Sequence, residues 1–105
     1  MRPNPLLNCT LLLLACAHLE AGQPTPGKVT EHSFEVSAKQ TVPYLFYLPE
    51  EFDPSSKKKW PVILFLHGRG ESRSPLRIVA KWGPPRMAQR GAHLPYILIA
   101  PQCPA

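Results

Sequence analysis

Two short apolar runs constrain this chain more than any other feature. Trp60-Pro61-Val62-Ile63-Leu64-Phe65-Leu66 and Tyr96-Ile97-Leu98-Ile99-Ala100 carry no charged side chain and show no apolar–polar alternation. A strand with one wet face alternates at a period of two, whereas an unbroken run suits a strand covered on both faces, as in a parallel sheet clothed by helices. The connection 68–96 spans 29 residues, enough for a crossover, so the two runs are predicted to form a parallel βαβ unit.

The connection itself reads as helical pieces. Ile78 and Trp82 lie four residues apart, which places Trp82 on a helix packed against the sheet, and Gly83 then interrupts the pattern. In 84–91, proline opens and glycine closes the segment, the signature of a short helix over about 85–90. Upstream, 29–37 alternates in part, with Val29, Phe34 and Val36 set against Thr30, Glu31 and Glu35, and 41–48 is dense in β-branched and aromatic residues. Joined by 38–40, the two are predicted to form a hairpin, with Pro43 suited to an edge or to the first residue of a strand. The expected fold is therefore α/β: an antiparallel hairpin leading into a parallel βαβ unit. Helices from this chain can cover the apolar strands on one face at most. An incomplete sheet of this kind exposes a large apolar area, so the natural protein is expected to be about twice this length or more.

Not all 105 residues belong to that domain. Arg2 supplies one positive charge, Leu6 and Leu7 begin an apolar stretch, and 11–17 continues uncharged. The stretch falls short of the roughly 20 residues a spanning helix needs and ends in small residues, which reads as a signal peptide. Residues 1–22 are assigned to this leader, with cleavage after Ala17 or near Ala21. Leu13-Leu14-Ala15-Cys16 also resembles a lipobox, in which Cys16 would be lipidated and tether the protein to the envelope. The product is expected to be exported, whether secreted, periplasmic or envelope-anchored, with no transmembrane span once mature. Residues 23–28, rich in proline and glycine, read as a linker, and 29–105 as the domain.

Charge and cysteine content exclude more than they assign. The net charge of +5 comes from scattered Lys and Arg, and Lys57-Lys58-Lys59, the only run, sits beside Asp53-Pro54-Ser55-Ser56 in what reads as a solvated loop. Without a groove-binding motif or aromatic platform, no nucleic-acid partner is inferred. Cys9 and Cys16 lie in the leader, leaving Cys103, which reads as a small buried thiol or as half of a disulfide with a partner beyond residue 105. No metal-ligand spacing is present, and the oligomeric state is not encoded.

The chemistry lies directly after the first apolar run, in Leu66-His67-Gly68-Arg69-Gly70-Glu71. A turn at the end of a parallel strand favours glycine where the backbone must approach a ligand or adopt positive φ. Backbone N–H groups fixed there can meet a developing oxyanion without reorganising. Tyr47-Leu48-Pro49, the 60–71 block, Gly83-Pro84-Pro85 and Ala100-Pro101-Gln102-Cys103-Pro104, in this order and spacing, resemble the opening of the predicted-peptidase and esterase group of α/β-hydrolases. That group is similar to dienelactone-hydrolase-like proteins, secreted feruloyl and polyhydroxybutyrate esterases and phospholipase/carboxylesterase-type enzymes. The resemblance covers about 44–105. It implies that Arg69 N–H, with that of Gly70, contributes to an oxyanion hole, that Gly68 belongs to the same loop, and that His67 holds the loop through its side chain without acting as the triad base. It implies no cofactor.

Gly70-Glu71-Ser72-Arg73-Ser74 imitates a nucleophile elbow but lacks the final glycine and precedes the strand after which an elbow belongs, so Ser72 is not assigned as nucleophile. His32 and His93 read as surface or loop histidines. Glu71 reads either as an acceptor for a loop N–H or as a solvated carboxylate. In this fold the triad follows the order Ser, Asp or Glu, His, which places all three beyond residue 105. The implied reaction is hydrolysis of small-molecule or polymeric acyl esters, with peptides or thioesters as further substrates. Two alternatives stay open: a non-catalytic binding module that kept the scaffold, and a truncated frame without a stable fold.

Overall fold

The structure, a computed structural model, describes residues 22–73 and 75–104. The leader readings, Cys16 included, fall outside the described residues. Four strands form one sheet: β1 (Val29–Ser37), β2 (Gln40–Tyr47), β3 (Val62–Leu64) and β4 (Ile97–Pro101). Their order across the sheet is β1-β2-β4-β3. β1 and β2 form the antiparallel hairpin, β2 pairs antiparallel with β4, and β3 lies parallel to β4. This is the α/β arrangement expected from the sequence, a hairpin leading into a parallel crossover.

The crossover carries two 3-10 segments, Arg69–Glu71 and Leu76–Lys81, and one helix, α1 (Gly83–Gln89). Helix α1 ends as its sequence dictates. Gly91 adopts φ +89, its N–H reaches Ala88 O at 3.0 Å, and Ala92 N–H reaches back to Met87 O at 3.0 Å. This pair of bonds satisfies carbonyls the helix would otherwise leave open, and it requires a residue at ease in the left-handed region. The Ile78–Trp82 helix, by contrast, does not form. Trp82 is extended at φ −138 and is 57% exposed, between Lys81 and Arg86 whose cationic groups lie 5.5 and 5.6 Å from its ring centre. The 3-10 segment before it breaks at Ala80, and α1 starts afresh at Gly83 with two prolines in its first turn.

Register sorts the side chains onto two faces. Leu45 and Tyr47 of β2 share one face with Leu98 and Ala100 of β4, and all four are buried. Val79, Ala80, Ala88 and Leu94 from the crossover cover them, with Val29 and Phe65 packed against both halves of the cluster. The Tyr47 hydroxyl, inside this core, accepts the Leu94 N–H at 3.1 Å and ties the end of the crossover to β2. On the opposite face, Phe34, Val42, Tyr44, Phe46, Ile99 and Pro101 line an open concavity of 390 Å³.

Two strand readings need correction. The run 60–66 reads as one long strand, yet β3 is three residues long and lies at the sheet edge; the 57% exposure of Val62 and 60% of Leu64 agrees with helix cover on one face at most. One face of β3 has no cover and one edge no neighbour among the described residues. Pro43 lies within β2, an inner strand, rather than at an edge or a strand start. Its carbonyl accepts Gln102 N–H at 2.8 Å, one residue past the end of β4, so the N–H that proline lacks costs only the last rung of the β2–β4 ladder.

The lysine run belongs to a self-contained turn. Asp53 Oδ1 accepts from Ser55 Oγ at 2.7 Å and from Ser55 N–H at 2.9 Å, and these bonds hold its carboxyl below the ordinary carboxylate range. Lys58 lies over the Trp60 ring, its ammonium 3.7 Å from the ring centre. Among the described residues no helix is long and apolar enough to cross a membrane.

Candidate functional site

Phe65 N–H donates to Ile99 O at 2.9 Å, and beyond it the chain leaves the sheet. His67 follows, half-buried, then Gly68 in an extended conformation, then the 3-10 turn closed by Glu71 N–H on Gly68 O at 3.3 Å. The His67 ring is fixed at both nitrogens. Cys103 N–H donates to Nε2 at 2.8 Å, so Nε2 bears no proton. In a neutral imidazole the proton then sits on Nδ1, which donates to Gly68 O at 2.5 Å.

That second bond orients the loop. A trans peptide sets C=O and N–H on opposite sides, so turning the Gly68 carbonyl toward His67 turns the Arg69 N–H away from it. Neither Arg69 N–H nor Gly70 N–H meets an acceptor among the described residues, because both open the 3-10 turn, where the first donors have no partner within the helix. Chemically, two adjacent N–H groups of this kind offer hydrogen bonds to an anionic oxygen.

Of the two reasons for glycine in this turn, positive φ does not apply at Gly68 or Gly70; it occurs at Gly27, Gly83 and Gly91. A Cβ on Gly68 would lie 3.1 Å from Glu71 Oε2, so the lack of a side chain there leaves room for the carboxylate. A Cβ on Gly70 would meet nothing within 4 Å. The protein's own packing therefore gives no reason for glycine at position 70.

Glu71 is 7% exposed, which overturns its reading as a solvated carboxylate. Gln102, 5% exposed, is the residue the sequence reasoning missed. Its Nε2 donates to Glu71 O at 2.9 Å and to Arg73 O at 2.8 Å. The available signal was an amide side chain directly after an apolar strand, within a block already singled out for its resemblance. His67, Gly68, Arg69 and Gly70 thus form one continuous loop braced from 102–103. Beside it, Val42, Leu66, His67, Pro101, Gln102, Cys103 and Pro104 line a concavity of 320 Å³.

Other residues lie apart from this loop. His32 stacks on Tyr44, centroids 5.4 Å apart, and shares a 2.7 Å hydrogen bond with Thr30 Oγ1. His93 Nδ1 lies 2.9 Å from the Glu50 carboxylate at an exposed position. Both His67 nitrogens are committed to the backbone, so this ring does not serve Ser72 as a base. Cys103, which reads as a buried thiol or as half of a disulfide, is exposed and has no disulfide partner among the described residues; its N–H, not its sulfur, faces the loop. No group of His, Cys, Asp and Glu suited to a metal occurs among the described residues.

No family model matches the chain, and no curated protein matches it. Among solved structures it is similar to the crystal structure of a thermostable esterase, at 28% sequence identity and a TM-score of 0.49. The match covers 73% of this chain and 21% of that one, so this chain spans about a fifth of the esterase's length.

Proposed function

We propose that this chain supplies the oxyanion loop of an exported serine hydrolase acting on acyl esters. One observation carries the reading: on a loop braced by His67, the N–H groups of Arg69 and Gly70 meet no acceptor among the described residues, and packing among those residues does not require glycine at position 70. Glycine at an uncrowded position with ordinary φ makes sense if something outside the chain's own packing must come close. A carbonyl oxygen becoming an oxyanion fits that space, since fixed N–H groups stabilise its charge without reorganisation.

In this reading a serine outside the chain attacks the carbonyl carbon, a histidine takes its proton and an acidic residue orients that histidine. The C–O bond to the alcohol breaks, the alcohol leaves with the proton, and water hydrolyses the acyl-enzyme. Esters are favoured over peptides and thioesters by the resemblance to the esterase group, and no cofactor is required.

The test uses the full-length protein and p-nitrophenyl acetate. Gly70→Val should leave the melting temperature nearly unchanged, because a Cβ there meets nothing, while kcat falls on the order of 100-fold, because the added side chain occupies the space the carbonyl oxygen must enter and a misplacement of about 1 Å costs about that much. Unchanged kcat in the folded variant would refute the assignment. Export, with a lipid on Cys16 as one form of it, belongs to the same proposal. The mature N-terminus is expected between Cys16 and Gln23, and terminal sequencing that begins at Met1 would exclude it.

A further inference from the structure

The loop that presents Arg69 and Gly70 has little holding it from within. Among the described residues its one internal backbone–backbone bond, Glu71 N–H to Gly68 O, is long at 3.3 Å, and the His67 ring adds one local bond to Gly68 O. Its remaining ties come from the two residues that follow β4 by one and two positions: Cys103 N–H on His67 at the loop's start, and Gln102 Nε2 on Glu71 O and Arg73 O at its end. A primary amide nitrogen carries two hydrogens, and Gln102 commits both to this loop. Gln102 is itself immobilised, since its own N–H is bonded to Pro43 O at 2.8 Å and its side chain is buried.

We infer that Gln102 is the positioning residue of this loop, transmitting the fixed end of the β2–β4 ladder to the N–H groups of Arg69 and Gly70. The inference rests on the hydrolase reading for its consequence in catalysis, and on the hydrogen bonds alone for its consequence in the loop. Gln102 touches neither substrate nor reacting atoms in this scheme. It acts by holding the carbonyls of Glu71 and Arg73, and through them the turn that begins at Arg69. Oxyanion stabilisation depends on donors already in place, and an error of about 1 Å in a reacting geometry can cost on the order of 100-fold in rate. The amide is specific for this task. A carboxylate of the same shape would set its charge against two carbonyl oxygens, and a methionine of similar length has no N–H to offer.

The experiment compares wild type, Gln102→Met and Gln102→Glu in the full-length protein, by amide hydrogen exchange and by ester kinetics. In both variants, exchange should accelerate at the hydrogen-bonded amides of the loop and its brace, Glu71 and Cys103, while the β2 and β4 amides keep their protection. On p-nitrophenyl acetate, kcat should fall about 10- to 100-fold with KM unchanged. Gln102→Glu keeps the shape of the side chain and serves where Gln102→Met folds poorly. Unchanged exchange at Glu71 and Cys103, or acceleration spread evenly through the protein, would overturn the positioning role. Faster exchange confined to the loop together with undiminished kcat would uphold the clamp and sink the oxyanion reading instead, so the two failures are distinguishable.

Discussion

At the scale of single residues, two glycines with similar backbones should respond differently to the same change. Gly83 and Gly91 both have positive φ, at +64 and +89. A Cβ on Gly91 meets nothing within 4 Å, whereas one on Gly83 would lie 2.8 Å from Phe65 Cε2. Left-handed backbone costs an L-residue about 1–2 kcal/mol, and alanine at either site incurs that cost. Gly83→Ala must also displace a ring that packs against both halves of the core. Urea unfolding should therefore show Gly91→Ala losing about 1–2 kcal/mol and Gly83→Ala losing clearly more. Equal losses would mean that Phe65 moves aside freely and the contact is incidental. Of this residue-scale detail, Gly91 was legible in advance, because a helix stop is written locally as proline before and glycine after. Gly83 read only as an interruption, since the close approach of Phe65 is a tertiary fact. Gln102 and the exposed Cys103 escaped for the same reason: whether an amide or a thiol faces a loop depends on where a strand 30 residues downstream happens to end.

At the scale of elements, what the sequence stated most clearly was type, and what it stated least clearly was extent. The hairpin, the parallel pair and the crossover all follow from side-chain periodicity and from turn residues, which are local properties. The apolar run 60–66 shrank to a strand of three residues. Pro61 brings no N–H, though its carbonyl accepts from Ile97 N–H at 2.9 Å, and beyond Phe65 the chain turns away toward His67. Hydrophobic content thus marked what a strand could bury, not how many rungs it would form. Trp82 misled in the same way: spacing of four suggested a helical face, but Gly83-Pro84-Pro85 sets a new helix start, which leaves the residue before it extended as an N-cap. The candidate site lies at the junction of these elements. The reading of His67 as a loop holder came from resemblance and not from spacing, since the Cys103 N–H that fixes its tautomer lies far along the chain, just past β4.

At the scale of the whole molecule, the described residues cover the sheet on one face and leave it open on the other. Crossover residues bury Leu45, Tyr47, Leu98 and Ala100, while Phe34 at 63%, Val62 at 57%, Leu64 at 60% and Leu66 at 71% exposure belong to the uncovered strands and the turn after them. Contiguous apolar surface of this kind binds other apolar surface, and apolar burial is worth about 25 cal/mol per Å², so association through this face is favourable. Residues 22–105 produced alone should therefore bind an apolar fluorescent dye and self-associate, and lysine in place of both Phe34 and Leu64 should reduce both signals without disturbing the covered face. The same fragment should hydrolyse p-nitrophenyl acetate no faster than buffer. Its loop offers hydrogen bonds to an oxyanion, but the only histidine in that loop is bonded to the backbone at both nitrogens and cannot activate a hydroxyl beside it. Ester hydrolysis by the isolated fragment, abolished by Ser72→Ala, would show that the segment after Gly70 contains a working nucleophile and would overturn the division of labour proposed for this loop.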